Sequence, residues 1–223
     1  TQPKKINETE NGFSVALLDG VTGSGKTEVY FELVKKQILL GRQCLILLPE
    51  IVLTTSWVNR FKKWVGFMPN IWHSGISAGK KKRIWREINE GHPGVAVGAR
   101  SALFLPFSNL GAIIVDEEHE AGYKQEEQVI YHARDMAILR AKYADCSIVL
   151  ATATPSLESW INVRNGRYQH IILANRYGVA TMPDIQTIDL RKFKPAFGKW
   201  ISEPLLSDMQ DRLKSDQQIL LYL

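Results

Sequence analysis

The run from position 20 to position 27 combines three glycines with a lysine and a threonine, in the order Gly20, Val21, Thr22, Gly23, Ser24, Gly25, Lys26 and Thr27. Glycine has no Cβ, so the backbone N–H groups of such a run can turn inward and surround phosphate oxygens. The Lys26 amine adds a full positive charge near the β- and γ-phosphates, and the Thr27 hydroxyl is a suitable Mg²⁺ ligand. The run therefore predicts a site for a nucleoside triphosphate and Mg²⁺.

The segments on either side of this run indicate how it is held. An apolar strand is predicted over Val15–Asp19, and a helix begins near Glu28 with Val29, Leu33 and Val34 at helical spacing. The N-terminus of that helix adds a partial positive charge directed at the same anion. Strand, glycine-rich turn and helix together form the P-loop arrangement, which disfavours the alternative of a chance glycine-rich turn.

A second group of ionisable residues, Asp116-Glu117-Glu118-His119, follows the apolar run Ala112–Val115. A carboxylate at the end of such a strand is the Walker B pattern, so Asp116 is predicted to hold Mg²⁺, mainly through water, beside Thr27. Glu117 is placed to orient or deprotonate the attacking water. A charged cap on a strand end is the structural alternative. We predict Lys26, Asp116, Glu117 and His119 as the catalytic residues.

Strands alternate with helices along most of the chain, which predicts an α/β fold with a mostly parallel, doubly wound sheet and helices on both faces. In such sheets ligands bind at the carboxyl ends of the strands. We predict an irregular segment over 1–14, an ATP-binding domain over 15–190 and a connector over 191–223. Further strands are predicted near Ile185–Leu190 and over Gln218–Leu223. Because the last run resembles a buried strand, we expect the chain to be a fragment of a longer protein.

Composition sets broader limits. The 223 residues are 45% apolar and 23% charged, as in a globular protein. No apolar run approaches the roughly 20 residues that span a bilayer, and the polar start is not a secretory signal. Cys44 and Cys146 lie in apolar runs, which favours free thiols in a reducing compartment, and they indicate no metal site. The net charge of +5 permits a polyanionic partner without establishing one.

Eight short motifs occur in an order that resembles the superfamily 2 helicases. Asp116–His119 is similar to their motif II, as a variant of the DEAH box, and Thr152-Ala153-Thr154 is similar to their motif III. The series closely resembles the first motor domain of the PriA family of bacterial primosomal helicases over about residues 15–223. The eight motifs are Gly-Val-Thr-Gly-Ser-Gly-Lys-Thr-Glu-Val-Tyr (20–30), Pro-Glu-Ile-Val-Leu-Thr (49–54), His-Ser-Gly (73–75), Arg-Ser-Ala-Leu-Phe (100–104), Asp-Glu-Glu-His (116–119), Tyr-Lys-Gln (123–125), Tyr-His-Ala-Arg-Asp (131–135) and Ala-Thr-Pro-Ser-Leu-Glu-Ser (153–159).

The resemblance implies a RecA-like P-loop NTPase domain, the motor of a 3′-to-5′ DNA helicase that acts in replication fork restart and primosome assembly. It implies ATP and Mg²⁺ as cofactors, with zinc only in a part of the family's full-length protein outside this chain. The implied partners are single-stranded and forked DNA, primosome proteins and single-strand-binding proteins, with no membrane, in the bacterial cytoplasm at the nucleoid. The fragment alone is expected to hydrolyse ATP weakly or not at all, because the superfamily uses an arginine from the second motor domain.

The resemblance also implies that loops at the strand ends contact DNA by stacking and charge. Arg100 and Arg134 each have a structural alternative, a contact that steadies a loop or a pair within a helix. Thr152 and Thr154 are predicted to couple ATP hydrolysis to DNA binding. The basic run Lys80–Arg83 favours a solvated helix face, and tryptophans 57, 64 and 85 favour packing. The predicted DNA contacts are Pro49, Thr54, His73, Arg100, Ser101, Tyr123, Lys124, Tyr131, His132 and Arg134, of which the last five lie in or after an aromatic-dotted loop over 120–131.

Two departures from the family pattern and three alternatives remain. Motif III has Thr152 where the family usually has serine, which keeps the hydroxyl, and residues 1–14 show no clear adenine-recognising motif. Another superfamily 2 DNA translocase is one alternative. An ATP-gated DNA-binding module without turnover is another, especially for the fragment alone. A metabolic P-loop kinase is disfavoured by Asp116–His119.

Overall fold

A parallel sheet of seven strands carries the motifs named above. The structure, a computed structural model, describes residues 12–49, 52, 54–127, 129–176 and 184–222. The chain divides into two units, Thr1–Ala180 and Thr181–Leu223. Residues 1–11 of the predicted irregular segment, Glu50, Ile51 and Leu53 of the predicted DNA segment, and Leu223 lie outside the described residues.

The first unit contains strands and helices in the alternating order that the sequence predicts. Short 3-10 helices cover Arg100–Phe104 and Ala121–Tyr123. The regular elements are β1 (Ser14–Gly20), α1 (Lys26–Leu39), β2 (Gln43–Leu47), α2 (Thr55–Val65), β3 (Asn70–Trp72), α3 (Ala78–Asn89), β4 (Gly94–Gly98), β5 (Leu110–Asp116), β6 (Lys124–Gln125), β7 (Tyr131–His132), α4 (Ala133–Tyr143), β8 (Ser147–Thr152), α5 (Leu157–Arg164) and β9 (Gln169–Leu173).

The sheet has the strand order β3-β4-β2-β5-β8-β1-β9, and all neighbouring strands are parallel. Strand β8 lies between β1 and β5, with Thr152 opposite Asp19 and Ala151 opposite Asp116. The carboxyl ends of β1, β5 and β8 therefore meet at one edge of the sheet. This arrangement brings the P-loop, motif II and motif III together and confirms the predicted doubly wound fold.

Both faces of the sheet are covered, which explains why its strands are nearly continuous apolar runs. On β5, Ile113 and Val115 point to one face, whereas Ala112 and Ile114 point to the other. Helices α1 and α2 pack on the second face, and α3 and α4 pack on the first. Cys44 and Cys146 are buried free thiols within these layers.

Two predicted strands are wrong, and one predicted loop contains strands. Residues 184–189 and 217–222 are not in strands, and Ile185 and Leu220 are 77% and 94% exposed. An alternating or apolar run forms a strand only where a neighbouring strand and a core accept it. The predicted loop over 120–131 instead contains β6 and β7, which pair antiparallel.

The second unit contains one helix, α6 (Glu203–Lys214), among its described residues. In the described part of the chain, no helix is both long enough and apolar enough to cross a membrane.

Candidate nucleotide-binding and hydrolysis site

The P-loop turns tightly between β1 and α1, and its glycines are required by geometry. Gly25 has φ 88°, a left-handed conformation, and it caps the N-terminus of α1. A Cβ placed on Gly20 would lie 2.5 Å from Ser24 Oγ and 3.0 Å from Leu173 Cβ. A side chain at either position would therefore strain or displace the loop.

The donors of the P-loop are gathered inside it. Lys26 is 9% exposed, and its ammonium donates to the Gly20 carbonyl at 2.5 Å. The Ser24 hydroxyl is buried and has no hydrogen-bond partner among the described residues. An unpartnered buried hydroxyl beside an ammonium at a helix N-terminus fits an anionic ligand, since all three favour negative charge. The residues present therefore fit the phosphates of a nucleotide.

Asp116 ends β5 and is 6% exposed. Its Oδ2 accepts a hydrogen bond from the Tyr30 hydroxyl at 2.9 Å, and its Oδ1 accepts from the Glu117 N–H at 3.1 Å. Burial raises the pKa of Asp116 to about 6, the Tyr30 hydrogen bond and the Lys26 charge lower it, and the Glu117 charge raises it. Because β8 lies between β1 and β5 in register, three of the four predicted catalytic residues, Lys26, Asp116 and Glu117, lie at the same sheet edge.

The oxygen donors of this site suit Mg²⁺, which commonly binds through one or two protein ligands together with phosphates and water. Asp116 offers a carboxylate and Thr27 a hydroxyl. No group of three or more His, Cys, Asp or Glu residues is arranged for a metal within the residues that the structure describes. A metal held largely by a nucleotide and solvent would need only these two oxygen donors from the protein.

Glu117 has an unusual backbone conformation. Its φ is 49°, in the left-handed region, directly after the buried end of β5. Such a conformation in a residue other than glycine costs on the order of 1 kcal/mol and recurs at functional sites. The Glu117 side chain is 36% exposed, and its Oε2 lies 3.7 Å from His119 Nδ1. The turn thus presents this carboxylate at the open side of the site, where a water molecule can reach it.

His119 connects motif II to motif III. Its Nδ1 shares a hydrogen bond of 2.7 Å with Thr152 Oγ1, and the Thr154 N–H donates to the same Thr152 oxygen at 3.1 Å. The hydroxyl that threonine shares with serine makes both contacts. The structure therefore brings together His119, Thr152 and Thr154, which supplies a physical link for the predicted coupling.

Glu118 is a site residue that the sequence analysis did not select. It is fully buried, and its carboxylate accepts hydrogen bonds from Arg134 Nη1 at 3.0 Å and Ser159 Oγ at 2.9 Å. The N–H and hydroxyl of Ser156 donate to it at 2.7 and 2.9 Å. Since Glu118 lies between Glu117 and His119, this cluster anchors motif II to α4 and α5. Ser156 and Ser159, three residues apart after Pro155, are the sequence feature from which a partner for Glu118 could have been predicted.

Replacing Arg134 with methionine should destabilise the chain by about 3 kcal/mol, because it removes the cationic partner of a fully buried carboxylate. The free energy of unfolding from urea titrations measures this loss. Arg164→Met is the matched control, since Arg164 is exposed at the end of α5 and its replacement should change stability by about 0.5 kcal/mol or less. Equal losses in the two variants would contradict the structural role of Arg134.

Three predicted DNA contacts are buried in the structure, and two of them, Tyr123 and Arg134, form hydrogen bonds or ion pairs inside the protein. Tyr123 is 2% exposed, and its hydroxyl oxygen lies 2.7 Å from the Asp116 carbonyl and 3.0 Å from the Leu47 carbonyl, so these two acceptors share its single proton. Arg134 is 5% exposed and binds Glu118 and Asp135. The prediction that these side chains meet DNA is contradicted by their burial, because each is committed to holding motif II in place. The structural alternative for Arg134 is an ion pair within its own helix; the structure shows this pair, with Asp135, and a second one with Glu118 outside the helix.

The other predicted DNA contacts lie around the carboxyl ends of the strands. Thr54 and Ser101 are exposed, Pro49 is buried, and the exposed His73 accepts a hydrogen bond from the Gly75 N–H at 3.1 Å. Tyr131 is half-buried against Phe104, with 5.5 Å between ring centroids. The structure does not bring all of these residues into one surface cluster.

Arg100, Lys124 and His132 do line a common groove of about 620 Å³ beside the β6–β7 hairpin. Arg100 Nη1 donates to the Lys124 carbonyl at 2.7 Å, which is the loop-steadying contact considered for Arg100. Burial and the nearby Arg134 charge lower the pKa of His132, which favours its neutral form. The groove is also lined by the carboxylates of Glu126 and Glu127, and Lys124 Nζ pairs with Glu126 Oε1 at 2.9 Å. Its lining is therefore mixed in charge, with Arg100 and Lys124 as its cations.

Comparison with known proteins agrees with this geometry. The family described as DEAD/DEAH box helicase matches residues 1–162. The chain belongs to the DEAD/DEAH box helicase family. It is also similar to the replication restart protein PriA of Rickettsia felis, with 45% identity over 207 residues that cover 93% of this chain and 32% of that protein. The PriA proteins of Haemophilus influenzae and Bacillus subtilis are 45% and 42% identical over 96% and 94% of the chain.

Solved helicase structures support the fold of this family member. A structure of RecG bound to a three-way DNA junction has a TM-score of 0.53 at 20% identity, over 75% of this chain and 21% of that one. The Pyrococcus furiosus Hef helicase domain has a TM-score of 0.52 at 18% identity, over 74% of this chain and 35% of that one. These likenesses confirm the predicted RecA-like fold. The chain spans about a third of the length of its Rickettsia felis relative.

Proposed function

We propose that this chain is the ATP-binding motor domain of a 3′-to-5′ DNA helicase that acts in replication fork restart and primosome assembly. The observation that carries the proposal is the meeting of the P-loop with Asp116 and Glu117 at one sheet edge, linked to motif III through His119. Family membership supports ATP-dependent helicase chemistry, and the similarity to replication restart proteins supports the biological role.

Each residue of the site has a definable role in this proposal. When bound, ATP with Mg²⁺ supplies the phosphoryl group that is transferred to water. Lys26 and the P-loop N–H groups would bind the phosphates of ATP, and Thr27 and Asp116 would hold Mg²⁺. Glu117 accepts a proton from the attacking water or orients that water, because its carboxylate is exposed at the open side of the site. Thr152 and Thr154 are connected to motif II through the hydrogen bond between His119 and Thr152, so a change at the ATP site is passed to motif III by this route.

The proposed nucleic-acid partner is single-stranded or forked DNA. Arg100 and Lys124 support this partner, since their side chains offer cationic donors for the phosphates of an unpaired strand, although Glu126 and Glu127 line the same groove. Primosome proteins and single-strand-binding proteins are proposed as protein partners, in the bacterial cytoplasm at the nucleoid. Zinc enters the proposal only for parts of a longer protein outside this chain.

An unwinding assay tests this function in a longer protein, namely one that contains this chain together with a second motor domain. Forked duplexes with either a 3′ or a 5′ single-stranded tail are incubated with ATP and Mg²⁺, and strand separation is followed by fluorescence. We expect separation of the 3′-tailed substrate. Separation of only the 5′-tailed substrate would contradict the polarity, and none with either tail would contradict the motor function.

The 223-residue chain alone should hydrolyse ATP at least about 1000-fold more slowly than the longer protein with DNA present. The physical reason is that an arginine from a second domain stabilises the transition-state charge in this superfamily, and such arginines contribute 10³–10⁵ in kcat. Phosphate release by both proteins, with and without single-stranded DNA, measures the difference. Comparable turnover would show that this chain contains a complete hydrolytic site.

A further inference from the structure

The hydroxyl of Tyr30 lies between residues from separate parts of the proposed ATP site. Tyr30 is on α1, is fully buried, and donates to Asp116 Oδ2 at 2.9 Å. The indole Nε1 of Trp57, on α2, lies 3.4 Å from the same hydroxyl oxygen. Burial raises the pKa of Tyr30 well above its usual value, and a hydrogen bond with the Thr27 side chain opposes that rise. The Tyr30 hydroxyl therefore joins α2 to the predicted Mg²⁺ ligand Asp116.

The chemistry of the donors gives this chain of hydrogen bonds one direction. An indole N–H can only donate, and a tyrosine hydroxyl has a single proton. The Tyr30 oxygen therefore accepts from Trp57, and its own proton goes to Asp116. A tyrosine hydroxyl has an ordinary pKa of about 10, so Tyr30 keeps this proton at neutral pH. The order of donation runs from Trp57 through Tyr30 to Asp116.

Trp57 is itself fixed at two places. Its indole packs against Phe31 and Phe61, with 5.5 Å between ring centroids in each case. Its backbone N–H donates at 3.3 Å to Thr54 Oγ1, which caps the N-terminus of α2. Thr54 is exposed and is a predicted DNA contact. Trp57 thus connects the N-terminal end of α2, which carries the predicted DNA contact Thr54, to the tyrosine that contacts Asp116.

We propose that Tyr30 is a positioning residue for Asp116, and that Trp57 connects it to the predicted DNA-contacting end of α2. The inference rests on the proposed ATP-dependent motor function. The Tyr30 proton fixes the direction of one Asp116 oxygen, which leaves the carboxylate oriented toward the P-loop. A shift of α2 when Thr54 engages DNA changes the Trp57 donor and, through Tyr30, the orientation of Asp116.

Tyr30→Phe tests the first part, because phenylalanine fills the same space without the hydroxyl. Binding of a fluorescent ATP analogue to the 223-residue chain is titrated over a range of Mg²⁺ concentrations and also in EDTA. The Mg²⁺ concentration for half-maximal binding should rise about 10-fold, as expected for loss of an outer partner of a metal ligand. Binding in EDTA should be unchanged. An equal loss in EDTA would indicate a merely structural role and overturn the positioning role.

Trp57→Phe tests the connection to α2, and Trp64→Phe is its matched control. Trp64 Nε1 also donates from α2 to α1, to Glu32 Oε1 at 2.6 Å, but on the exposed side of the helix pair. The Mg²⁺ titration is repeated with and without a single-stranded oligonucleotide. We expect the oligonucleotide to shift the half-maximal Mg²⁺ concentration in the unchanged chain and in Trp64→Phe. The shift should disappear in Trp57→Phe.

The outcomes separate this inference from the proposed function. If the unchanged chain shows no Mg²⁺-dependent nucleotide binding, the proposed function is contradicted, and the inference falls with it. If the unchanged chain binds as expected but Tyr30→Phe binds identically, the inference alone is overturned. If Trp57→Phe behaves like Trp64→Phe, the connection to α2 is overturned. Because Trp57→Phe leaves the Tyr30 ring intact, it also gives a result if Tyr30→Phe does not fold.

Discussion

Replacing Lys26 with alanine should reduce ATP hydrolysis by the longer protein at least about 100-fold, the size of effect expected when one preorganised charge contact to a reacting group is lost. Lys26 is 9% exposed, and its ammonium donates to the Gly20 carbonyl inside the P-loop, where it is placed to contact the phosphates. Steady-state phosphate release at saturating DNA measures the loss. Affinity for single-stranded DNA, measured by fluorescence anisotropy without nucleotide, should stay within about twofold.

Lys35→Ala is the matched control for this substitution. Lys35 is an exposed residue of the same helix, α1, so its replacement removes an equal charge from the same element without touching the P-loop. We expect near-normal hydrolysis in this variant. If DNA binding disappeared in Lys26→Ala but not in Lys35→Ala, the separation between the nucleotide site and the DNA groove would be contradicted.

Much of the catalytic edge could be predicted from the sequence because its motifs are local. A glycine-rich run between a strand and a helix specifies its own geometry, and a carboxylate after an apolar run specifies a strand end. Parallel pairing then brings such ends to one edge of a sheet. The strand order could not be predicted, because nothing in the sequence of β8 states that it pairs between β1 and β5.

The failures involve side chains whose roles depend on burial. Tyr123 resembles a stacking residue by its type and its polar neighbours, yet its hydroxyl closes hydrogen bonds with β2 and β5. Glu118 reads as one more charge in motif II, but it is fully buried among four donors. Tyr30 occupies an ordinary helical core position. In each case the polar partner comes from a distant part of the chain, and periodicity reveals only the apolar ring or the helix face.

These buried contacts change how motif II is understood. Tyr123 binds the Asp116 carbonyl, and Glu118 binds Ser156, so the backbone is held on both sides of Glu117. A fixed turn can maintain the left-handed conformation of Glu117, which an exposed loop would relax. The carboxylate that meets water is therefore held by residues that never meet the substrate. The position of Glu117 and its chemistry can be tested separately.

Glu117→Gln should preserve nucleotide binding while reducing the chemical step about 10²–10⁴-fold, the usual contribution of a positioned general base. Glutamine keeps the size and the backbone preference of glutamate, but its amide cannot accept a proton from water at neutral pH. Binding of a fluorescent ATP analogue with Mg²⁺ gives the first quantity. Single-turnover phosphate release by the longer protein gives the second.

Glu120→Gln is the matched control for that experiment. Glu120 lies three positions further along the same turn, and its carboxylate accepts a hydrogen bond from the Gly122 N–H at 3.3 Å. A glutamine amide oxygen can accept the same bond, so hydrolysis should remain close to normal. If Glu117→Gln and Glu120→Gln released phosphate at similar rates, Glu117 would not be the residue that activates water. If Glu117→Gln instead lost nucleotide binding, its carboxylate would be acting on the bound ground state, and the strained turn would have to be assigned to ligand positioning.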